Sequence, residues 1–350
     1  MKVYDVSSEP VRVAMVGLGQ WGPNLLRVLR ESRDFEVAAL CDIDQARLDA
    51  FAELHPRALR TTELSEALAA DVAAVVIATP ANLHVDQVEH CLKLGKDVFV
   101  EKPVATSLAD ARRLTALATR QGRILMAGHT FLFNPAVRRV KQAIHEGLLG
   151  KVKYAICQRL SLGRIRDDVN ALWNLAPHDI SILLYWFGAM PKRVTAQGLV
   201  TFDGRRQEDV VFAQLEFPGN VLASVNVSWL APTKVRDMVV VGSERMVRYD
   251  DVSKSAPLTL YHRGAEEVPS TRPDGTVDGF HLAIRQGGEE RLQVDAAEPL
   301  ALAVAHFRAC VESRDEPFGS GNELLRVTSV LEALDRSLKS GGEPRTPEAP

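Results

Sequence analysis

Short apolar runs alternate with amphipathic segments along the first third of the chain. Five runs fit buried strands, namely Val11–Val16, Phe35–Cys41, Ala73–Ala78, Asp97–Val100 and Ile124–Gly128. Between them apolar residues recur at helical spacing, as at Leu25, Leu26 and Leu29. Strand and helix therefore alternate through about residue 128. This pattern predicts βαβ units in a doubly wound parallel sheet, the α/β fold of a Rossmann domain.

The pattern changes after His129, where several strands follow one another with few helices between them. The candidate strands are Arg193–Leu199, Val210–Phe217, Val221–Trp229, Met238–Val241 and Met246–Tyr249. Their spacing predicts an α+β domain with a mostly antiparallel sheet.

The last third of the chain ends in helices. Residues 262–290 are rich in Gly, Pro and charge, and we expect a long loop there. Two helices are predicted at about 299–314 and 322–339. The expected domains are a Rossmann domain (1–128), an α+β domain for substrate binding and oligomerisation (129–340) and a flexible tail (341–350).

The composition is that of an ordinary globular protein. The chain has 350 residues, of which 46% are hydrophobic and 25% charged, with a net charge of −3. It contains neither a basic stripe with interleaved aromatics nor an apolar run near the ~20 residues of a membrane span, so we expect no nucleic-acid or membrane partner. The four cysteines are far apart and lack metal-ligand spacing. They predict a reducing, cytoplasmic location and no metal site.

A glycine-rich turn follows the first strand directly. It contains Gly17, Gly19, Gln20, Trp21 and Gly22. Between a strand and a helix, such glycines are typical of a turn whose backbone approaches a dinucleotide pyrophosphate. Asp42 ends the second strand twenty residues after Gly22, where a carboxylate can bind the adenosine ribose and repel a 2′-phosphate. NAD is therefore the expected cofactor, and the alternative is a glycine turn that only packs helix on sheet.

Further polar residues follow two later strands. They are Thr79, Pro80, Asn82 and His84 after the third run, and Glu101 and Lys102 after the fourth. Because open α/β sheets bind ligands at the carboxyl ends of their strands, we expect all six residues to line the cofactor. The cationic nicotinamide ring would disfavour the charged form of Lys102. The alternative for Lys102 is a solvated side chain in a loop.

Four features of the sequence resemble the Gfo/Idh/MocA family of oxidoreductases. They are the glycine loop, Glu101-Lys102-Pro103, the segment from Gly128-His129 to Gly150-Lys151, and His178. The resemblance covers roughly residues 10–340. It implies a Rossmann domain, a second domain with a large open sheet often used for oligomerisation, and a nicotinamide cofactor. A homodimer or homotetramer is the assembly that the resemblance implies.

Two segments are most similar to the sugar-nucleotide branch of that family, Gly128-His129-Thr-Phe-Leu-Phe133 and Trp173-Asn174-Leu-Ala-Pro-His178-Asp179. Members of this branch oxidise the 3-hydroxyl of UDP-N-acetylglucosamine or a related UDP-sugar to a 3-keto sugar. Asn174 stands where many members of the family have Asp. An amide can orient an imidazole, but it cannot stabilise imidazolium as a carboxylate would.

The chemistry of alcohol oxidation assigns roles to the candidate residues. Hydride transfer needs a proton acceptor near the hydroxyl, and His178 titrates in the right range. We expect Pro177 to begin a helix that places His178 in its first turn and Asp179 near its terminus. His178 is the predicted general base, and Lys102 the predicted partner of the substrate oxygen. The predicted substrate contacts are Lys102, His129, Phe133, Arg164, Arg166, Trp173, Asn174 and His178.

Several alternatives stay open. Arg164 and Arg166 suit a diphosphate because guanidinium forks match phosphate oxygens, but a solvated loop fits them equally. Trp173 fits either stacking on a sugar or base or a place in the core. The leading hypothesis is NAD-dependent oxidation of a secondary alcohol of a UDP-sugar. The alternatives are a dehydrogenase or ketoreductase of another sugar, inositol or dTDP-ketosugar, and a non-catalytic NAD(H)-binding regulatory protein.

Overall fold

The computed structural model describes residues 9–163 and 165–350. The chain divides into two compact units. The first unit comprises residues up to Phe133 together with Ala297–Glu332 and Ala349–Pro350. The second unit comprises Asn134–Ala296 and Ala333–Glu348.

A six-stranded parallel sheet forms the centre of the first unit in the described residues. Its strands are β1 (Val11–Val16), β2 (Phe35–Cys41), β3 (Leu59–Thr61), β4 (Ala74–Ile77), β5 (Asp97–Val100) and β6 (Leu125–Ala127). Their order is β3-β2-β1-β4-β5-β6, and every neighbouring pair is parallel. The doubly wound sheet predicted from the alternating pattern is confirmed.

Helices connect these strands, and local sequence fixes where they begin and end. They are α1 (Gly22–Glu31), α2 (Gln45–Ala50), α3 (Leu64–Ala69), α4 (Ala81–Lys93), α5 (Leu108–Gln121) and a short 3-10 helix (Thr130–Phe133). Ser107 caps α5 by accepting the Asp110 N–H at 3.1 Å, and Gly122 ends it in the left-handed region with φ 59°.

A late helix, α8 (Pro299–Ser313), also belongs to the first unit, although the sequence predicted a single second domain over 129–340. Phe307 on α8 stacks on Phe35 with ring centroids 6.3 Å apart and meets Phe99 edge-on at 5.8 Å. Just past the helix, Arg314 binds the buried Asp97 carboxylate at 2.7 Å. These contacts explain why residues far apart in sequence fold together here. The helix α9 (Asn322–Lys339) contributes residues to both units.

An eight-stranded sheet forms the second unit over residues 134–163 and 165–296. Its strands are β7 (Val152–Leu160), β8 (Arg193–Leu199), β9 (Val210–Phe217), β10 (Val221–Ser228), β11 (Val235–Gly242), β12 (Met246–Asp250), β13 (Leu258–Thr271) and β14 (Val277–Arg291). Their order is β14-β13-β12-β11-β7-β10-β9-β8. Among these described strands, β10 and β7 form the one parallel pair, so the mostly antiparallel sheet is confirmed.

Two helices cover one face of this sheet. The helix α7 (Ala171–Phe187) packs on β7, β9 and β10, and α6 (Pro135–His145) packs on α7 and β12. Along β7, Ala155 and Cys157 are buried, whereas Tyr154 and Ile156 point the other way and are 42% and 39% exposed. The second face is therefore open in the chain as described.

Two expectations were wrong in detail. Residues 262–290 form most of the β13–β14 hairpin and not a long loop, because polar residues alternate with Phe280, Leu282 and Ile284 in strand fashion. The helix α7 begins at Ala171 and not at Pro177, because the Asn170 side chain accepts the Trp173 N–H at 3.1 Å. The flexibility of the tail at 341–350 stays a prediction, and within it the Arg345 N–H donates to the Val194 carbonyl at 2.9 Å.

No helix in the described ranges combines the length and the apolar character that crossing a bilayer requires.

Candidate active site

Two glycines of the turn after β1 are required by their surroundings. Gly17 has φ +92°, and a Cβ there would lie 2.7 Å from the backbone carbon of Ala78. A Cβ at Gly22 would overlap the carbonyl oxygen of Gly17. The turn therefore brings its backbone against the end of β4 and starts α1 at once. Gly19 has open space by comparison, and Gln20 and Trp21 are exposed.

Asp42 fixes this turn from the end of β2. One carboxylate oxygen accepts the Leu18 N–H at 2.7 Å and the other accepts the Asp44 N–H at 2.9 Å. The side chain is buried, with 6% exposure of the residue. A close-approach glycine turn, a helix N-terminus and a fixed acid are the three parts that a dinucleotide site requires. These residues fit NAD.

Glu101 and Lys102, an acid and an amine, directly follow β5 at the same edge of the sheet as the glycine turn. The Glu101 N–H donates to the Ile77 carbonyl of β4 at 2.9 Å, and its carboxylate is buried. Burial raises the pKa of Glu101 to about 7, although the Lys102 ammonium acts in the opposite sense. Lys102 itself is half-buried. A buried acid beside a partly exposed amine is an arrangement that can share a proton at neutral pH.

His84 joins the segments that follow β4 and β5. Its Nδ1 lies 2.7 Å from the Pro103 carbonyl oxygen, and its Nε2 lies 2.9 Å from the Thr79 carbonyl oxygen. The Thr79 hydroxyl donates to the Gln87 side chain at 2.6 Å. Both side chains hold the loops together, whereas the predicted neighbours Pro80 and Asn82 are exposed.

The residues after β6 are deeply buried. His129 is 3% exposed, and burial, helped by the charge of Lys102, lowers the pKa of its imidazole to about 4. It is therefore neutral at physiological pH. Phe133 is 2% exposed and packs edge-on against Phe318 at 5.8 Å. Its place is in the core of the first unit.

In the second unit, α7 carries His178 and Asn174 one helical turn apart on the same face. Both residues are half-buried. Because the helix begins at Ala171, Pro177 lies inside it and His178 is in its middle, not in its first turn. Trp173 is 5% exposed and belongs to the core of this unit.

Asp179 is not the helix-terminus acid that the sequence predicted. It lies mid-helix with 1% exposure and receives two hydrogen bonds from Arg159 on β7, at 2.9 and 3.1 Å. Sequence reasoning missed Arg159. The clue was the alternation along β7, which puts Arg159 on the same buried face as Ala155 and Cys157. A charged residue at such a position requires a buried partner.

Of the two arginines proposed for a diphosphate, Arg164 lies outside the described residues. The Arg166 guanidinium forms a two-point pair with Asp168, with Nε–Oδ1 at 2.7 Å and Nη2–Oδ2 at 2.5 Å. A diphosphate would have to compete with that carboxylate. In the described ranges no group of three or more His, Cys, Asp or Glu side chains could hold a metal ion.

Two family profiles match the chain. That of an oxidoreductase family with an NAD-binding Rossmann fold matches residues 11–129. That of the GFO/IDH/MocA C-terminal domain matches residues 137–248. The chain belongs to the Gfo/Idh/MocA family of oxidoreductases. As a Gfo/Idh/MocA protein it is an NAD-dependent oxidoreductase, and the predicted cofactor is confirmed.

Several Gfo/Idh/MocA relatives are similar over most of the chain. A dTDP-3,4-didehydro-2,6-dideoxy-alpha-D-glucose 3-reductase of Actinomadura kijaniata is 39% identical over 276 residues, which cover 75% of this chain and 76% of that protein. A UDP-N-acetylglucosamine 3-dehydrogenase of Acidithiobacillus ferrooxidans is 26% identical over 261 residues, 74% of this chain and 79% of that protein.

Solved structures of other proteins share the fold over nearly the full length of the chain. The WlbA dehydrogenase of Bordetella pertussis, crystallised with NADH and UDP-GlcNAcA, superposes with a TM-score of 0.80. It is 21% identical, and the match covers 99% of this chain and 100% of that one. At this identity the likeness establishes the fold alone.

Proposed function

We propose that this oxidoreductase oxidises a secondary alcohol of a nucleotide-linked sugar, with the 3-hydroxyl of UDP-N-acetylglucosamine as the leading candidate. The observation that carries the proposal is the pair Glu101 and Lys102 at the end of β5, on the same sheet as the NAD turn. An amine at this edge stands where ligands of open α/β sheets bind. Bound NAD, held by the glycine turn and Asp42, would supply the hydride acceptor for the alcohol carbon.

The proton of the alcohol is handled by side chains. The Lys102 Nζ hydrogen-bonds the hydroxyl oxygen and stabilises the negative charge that develops on it. The His178 imidazole accepts the hydroxyl proton as general base. Asn174, one turn earlier on α7, orients that imidazole through its amide. Glu101, with its pKa near neutrality, takes up or releases a proton as the charge on Lys102 changes.

A second candidate is the reverse chemistry on a dTDP-linked ketosugar. It is supported by the 39% identity to the Actinomadura kijaniata reductase, whose name specifies such a substrate. The same residues serve both directions, because an acid that donates a proton to the new hydroxyl is the base of the oxidation. The two candidates differ in the nucleotide and in the direction of net hydride transfer.

The nucleotide of either substrate carries a diphosphate, for which Arg164 and Arg166 remain the predicted ligands. Arg166 is already oriented by Asp168, whose two carboxylate oxygens each accept a hydrogen bond from its guanidinium. Diphosphate binding would exchange one anion for another at this fork. His129 and Trp173 are each buried within their own unit, so neither is proposed to contact charged groups of the substrate.

We also propose that two copies of the chain associate through the open face of the second-unit sheet. That face exposes Tyr154, Ile156, Phe212 and Leu222 to between 39% and 52%. Neighbouring apolar residues exposed on central strands are typical of an interface between subunits. Light scattering after size-exclusion chromatography tests this proposal. Phe212→Glu is expected to halve the measured mass, and an unchanged mass would contradict the proposed face.

The catalytic proposal is tested by cofactor reduction with a panel of substrates. The panel contains UDP-N-acetylglucosamine, a dTDP-linked hexose and myo-inositol, and the reverse assay follows NADH oxidation with the 3-keto sugars. Lys102→Met and His178→Ala are each expected to lower kcat by about 10²–10⁴-fold while NADH binding is kept. Turnover of inositol alone would contradict the nucleotide-linked substrate.

Matched control variants show whether a loss of activity is specific to Lys102 and His178 or follows from removing any lysine or histidine. Lys93→Met removes an exposed lysine that pairs with Glu89 on α4, and His145→Ala removes an exposed histidine on α6. Both are expected to keep kcat within about twofold, as surface substitutions away from a site do. Full turnover by Lys102→Met or His178→Ala with intact NADH binding would refute the assigned roles.

A further inference from the structure

The Asp42 carboxylate, which is expected to bind the adenosine ribose, already accepts one backbone N–H on each oxygen. Asp42 accepts the Leu18 N–H on Oδ2 and the Asp44 N–H on Oδ1. A carboxylate offers about four acceptor positions, so two remain for other groups. With 6% of Asp42 exposed, those two positions are reached only from a narrow range of directions.

A guanidinium stands in that range. The Arg47 Nη1 lies 3.5 Å from each oxygen of Asp42, and its Nε lies 3.3 Å from Oδ2 of Asp44. The same Nη1 would be 3.6 Å from a Cβ placed on Gly19, so the group also lies over the glycine turn. Arg47 therefore lies beside the acid that selects the cofactor and beside the turn that holds its pyrophosphate.

The geometry indicates a weakly held cation. Contacts of 3.5 Å are longer than the 2.7–2.9 Å typical of strong charge-assisted hydrogen bonds. The Arg47 side chain is 49% exposed, whereas that of Asp42 is 4% exposed. Ion pairs with one exposed partner contribute little to stability, so Arg47 can turn away from Asp42 at low cost. A ribose hydroxyl or a phosphate can then take its place or bind to it.

The two cofactors would meet this pair differently. The ribose diol of NAD needs an acceptor, and Asp42 provides one once Arg47 has shifted. A 2′-phosphate carries about −1.5 to −2 charges and is repelled by a bare carboxylate. A planar guanidinium beside that carboxylate offsets the repulsion and can donate two parallel hydrogen bonds to phosphate oxygens.

We propose that Arg47 is a specificity-determining residue that lets this NAD site also admit NADP, by binding the 2′-phosphate beside Asp42. The inference rests on the NAD dependence of the chain and not on the identity of the sugar. Asp42 keeps the preference for NAD, and Arg47 sets how far NADP is disfavoured.

The test is direct binding of NADH and NADPH, measured by calorimetry on the full chain without substrate. Arg47→Ala is expected to raise the ratio of the NADPH to the NADH dissociation constant by roughly ten- to a hundredfold, since a hydrogen bond to a charged group is lost. The NADH constant is expected to change by less than about threefold. Arg47→Lys keeps the charge without the fork and is expected to give an intermediate ratio.

Arg120→Ala is the matched control, because it removes an exposed arginine near the end of α5 and changes the net charge equally. It is expected to leave the ratio unchanged. An unchanged ratio in Arg47→Ala, with NADH still bound, overturns the role of Arg47 alone. Failure of the wild-type chain to bind NADH would overturn this inference and the NAD dependence together.

Discussion

The two sheets of this protein bury their strands in different ways. In the first unit all four residues of β4 and of β5 are buried, because helices cover both faces of a parallel sheet. In the second unit β9 and β10 alternate buried and exposed residues, because α6 and α7 cover one face only. In β4 and β5 the charged side chains therefore lie at or beyond the strand ends, as Asp97 does at the start of β5 and Glu101 and Lys102 do after its last residue. In the second unit a whole face is left for contacts outside the unit.

The backbone of the first unit is packed most tightly around the glycine turn, so a substitution there should reduce stability more than any other change considered. Gly22→Ala places a methyl group on the Gly17 carbonyl oxygen, so either the turn or the start of α1 must move. We expect the free energy of unfolding of the first unit to fall by more than about 4 kcal/mol, together with NADH binding. The Cβ of Gly19→Ala would meet only Arg47, at 3.6 Å. We expect its free energy of unfolding to differ from that of the wild type by no more than about 1 kcal/mol. Equal stability of the two variants in urea titrations would contradict the crowding.

The helix-covered face of the second-unit sheet contains the buried ion pair of Arg159 and Asp179. Removing one partner of this pair should therefore lower the free energy of unfolding strongly. Arg159→Met leaves Asp179 buried without its partner and is expected to cost about 3–5 kcal/mol of unfolding free energy. Arg159→Met combined with Asp179→Leu should recover most of that loss, because no charge then remains buried. Urea denaturation of both variants measures the difference. A double variant as unstable as the single one would show that packing, not charge, dominates.

The stability of the first unit is expected to depend on pH through Glu101, which lies at the polar edge of its sheet. Burial raises the pKa of Glu101 from an ordinary 4.5 to about 7, so between these values the folded chain holds a proton that the unfolded chain has released. Stability contributed by this group is therefore full below about pH 4.5 and is lost as pH rises toward 7, by at most roughly 3 kcal/mol.

Glu101→Gln does not titrate and should remove that decline. The charged group that acts on Glu101 is Lys102, which stays in the variant. Denaturation midpoints at pH 5, 6, 7 and 8 give the measurement, and the gap between variant and wild type should grow with pH. A constant gap would mean that Glu101 has an ordinary pKa in the folded chain.

The open face should tolerate changes that the buried faces do not, which gives the smallest expected effect. Leu282 on β14 is 72% exposed, and Leu282→Ser is expected to change the unfolding free energy by no more than about 0.5 kcal/mol. Leu215→Ser on β9, at a position with 0% exposure, should cost about 3 kcal/mol or more. A comparable loss in both variants at low protein concentration would show that β14 is covered within one chain.

The same difference explains which parts of the fold could be predicted. Five of the six strands described in the first unit lie within the predicted apolar runs. The sixth, β3, is only three residues long and contains Arg60, so it gives no apolar run and was not predicted. The β13–β14 hairpin was missed because its strands are mostly exposed, and exposed strands carry polar and glycine residues that favour a loop prediction.

The site was predictable to the extent that it depends on local sequence. The turn at Gly17–Gly22 and the acid at Asp42 follow from spacing alone, and the structure places them in contact through Leu18. The start of α7 at Ala171 was not predicted, because Pro177 favours a first helical turn while the Asn170 cap lies seven residues earlier. The pair Arg159 and Asp179 depends on a strand and a helix meeting in three dimensions, which no local pattern specifies.

The double role of Asp42 limits how this enzyme can be redesigned. Because a carboxylate at this position repels a 2′-phosphate, one route from NAD to NADP would be to replace Asp42 with a small neutral residue. Here that substitution would also leave the Leu18 and Asp44 N–H groups without their acceptor. The glycine turn, which has to bind the new coenzyme, would then be less well ordered. A protein engineer would do better to leave the carboxylate in place and enrich the positive charge on α2 around Arg47.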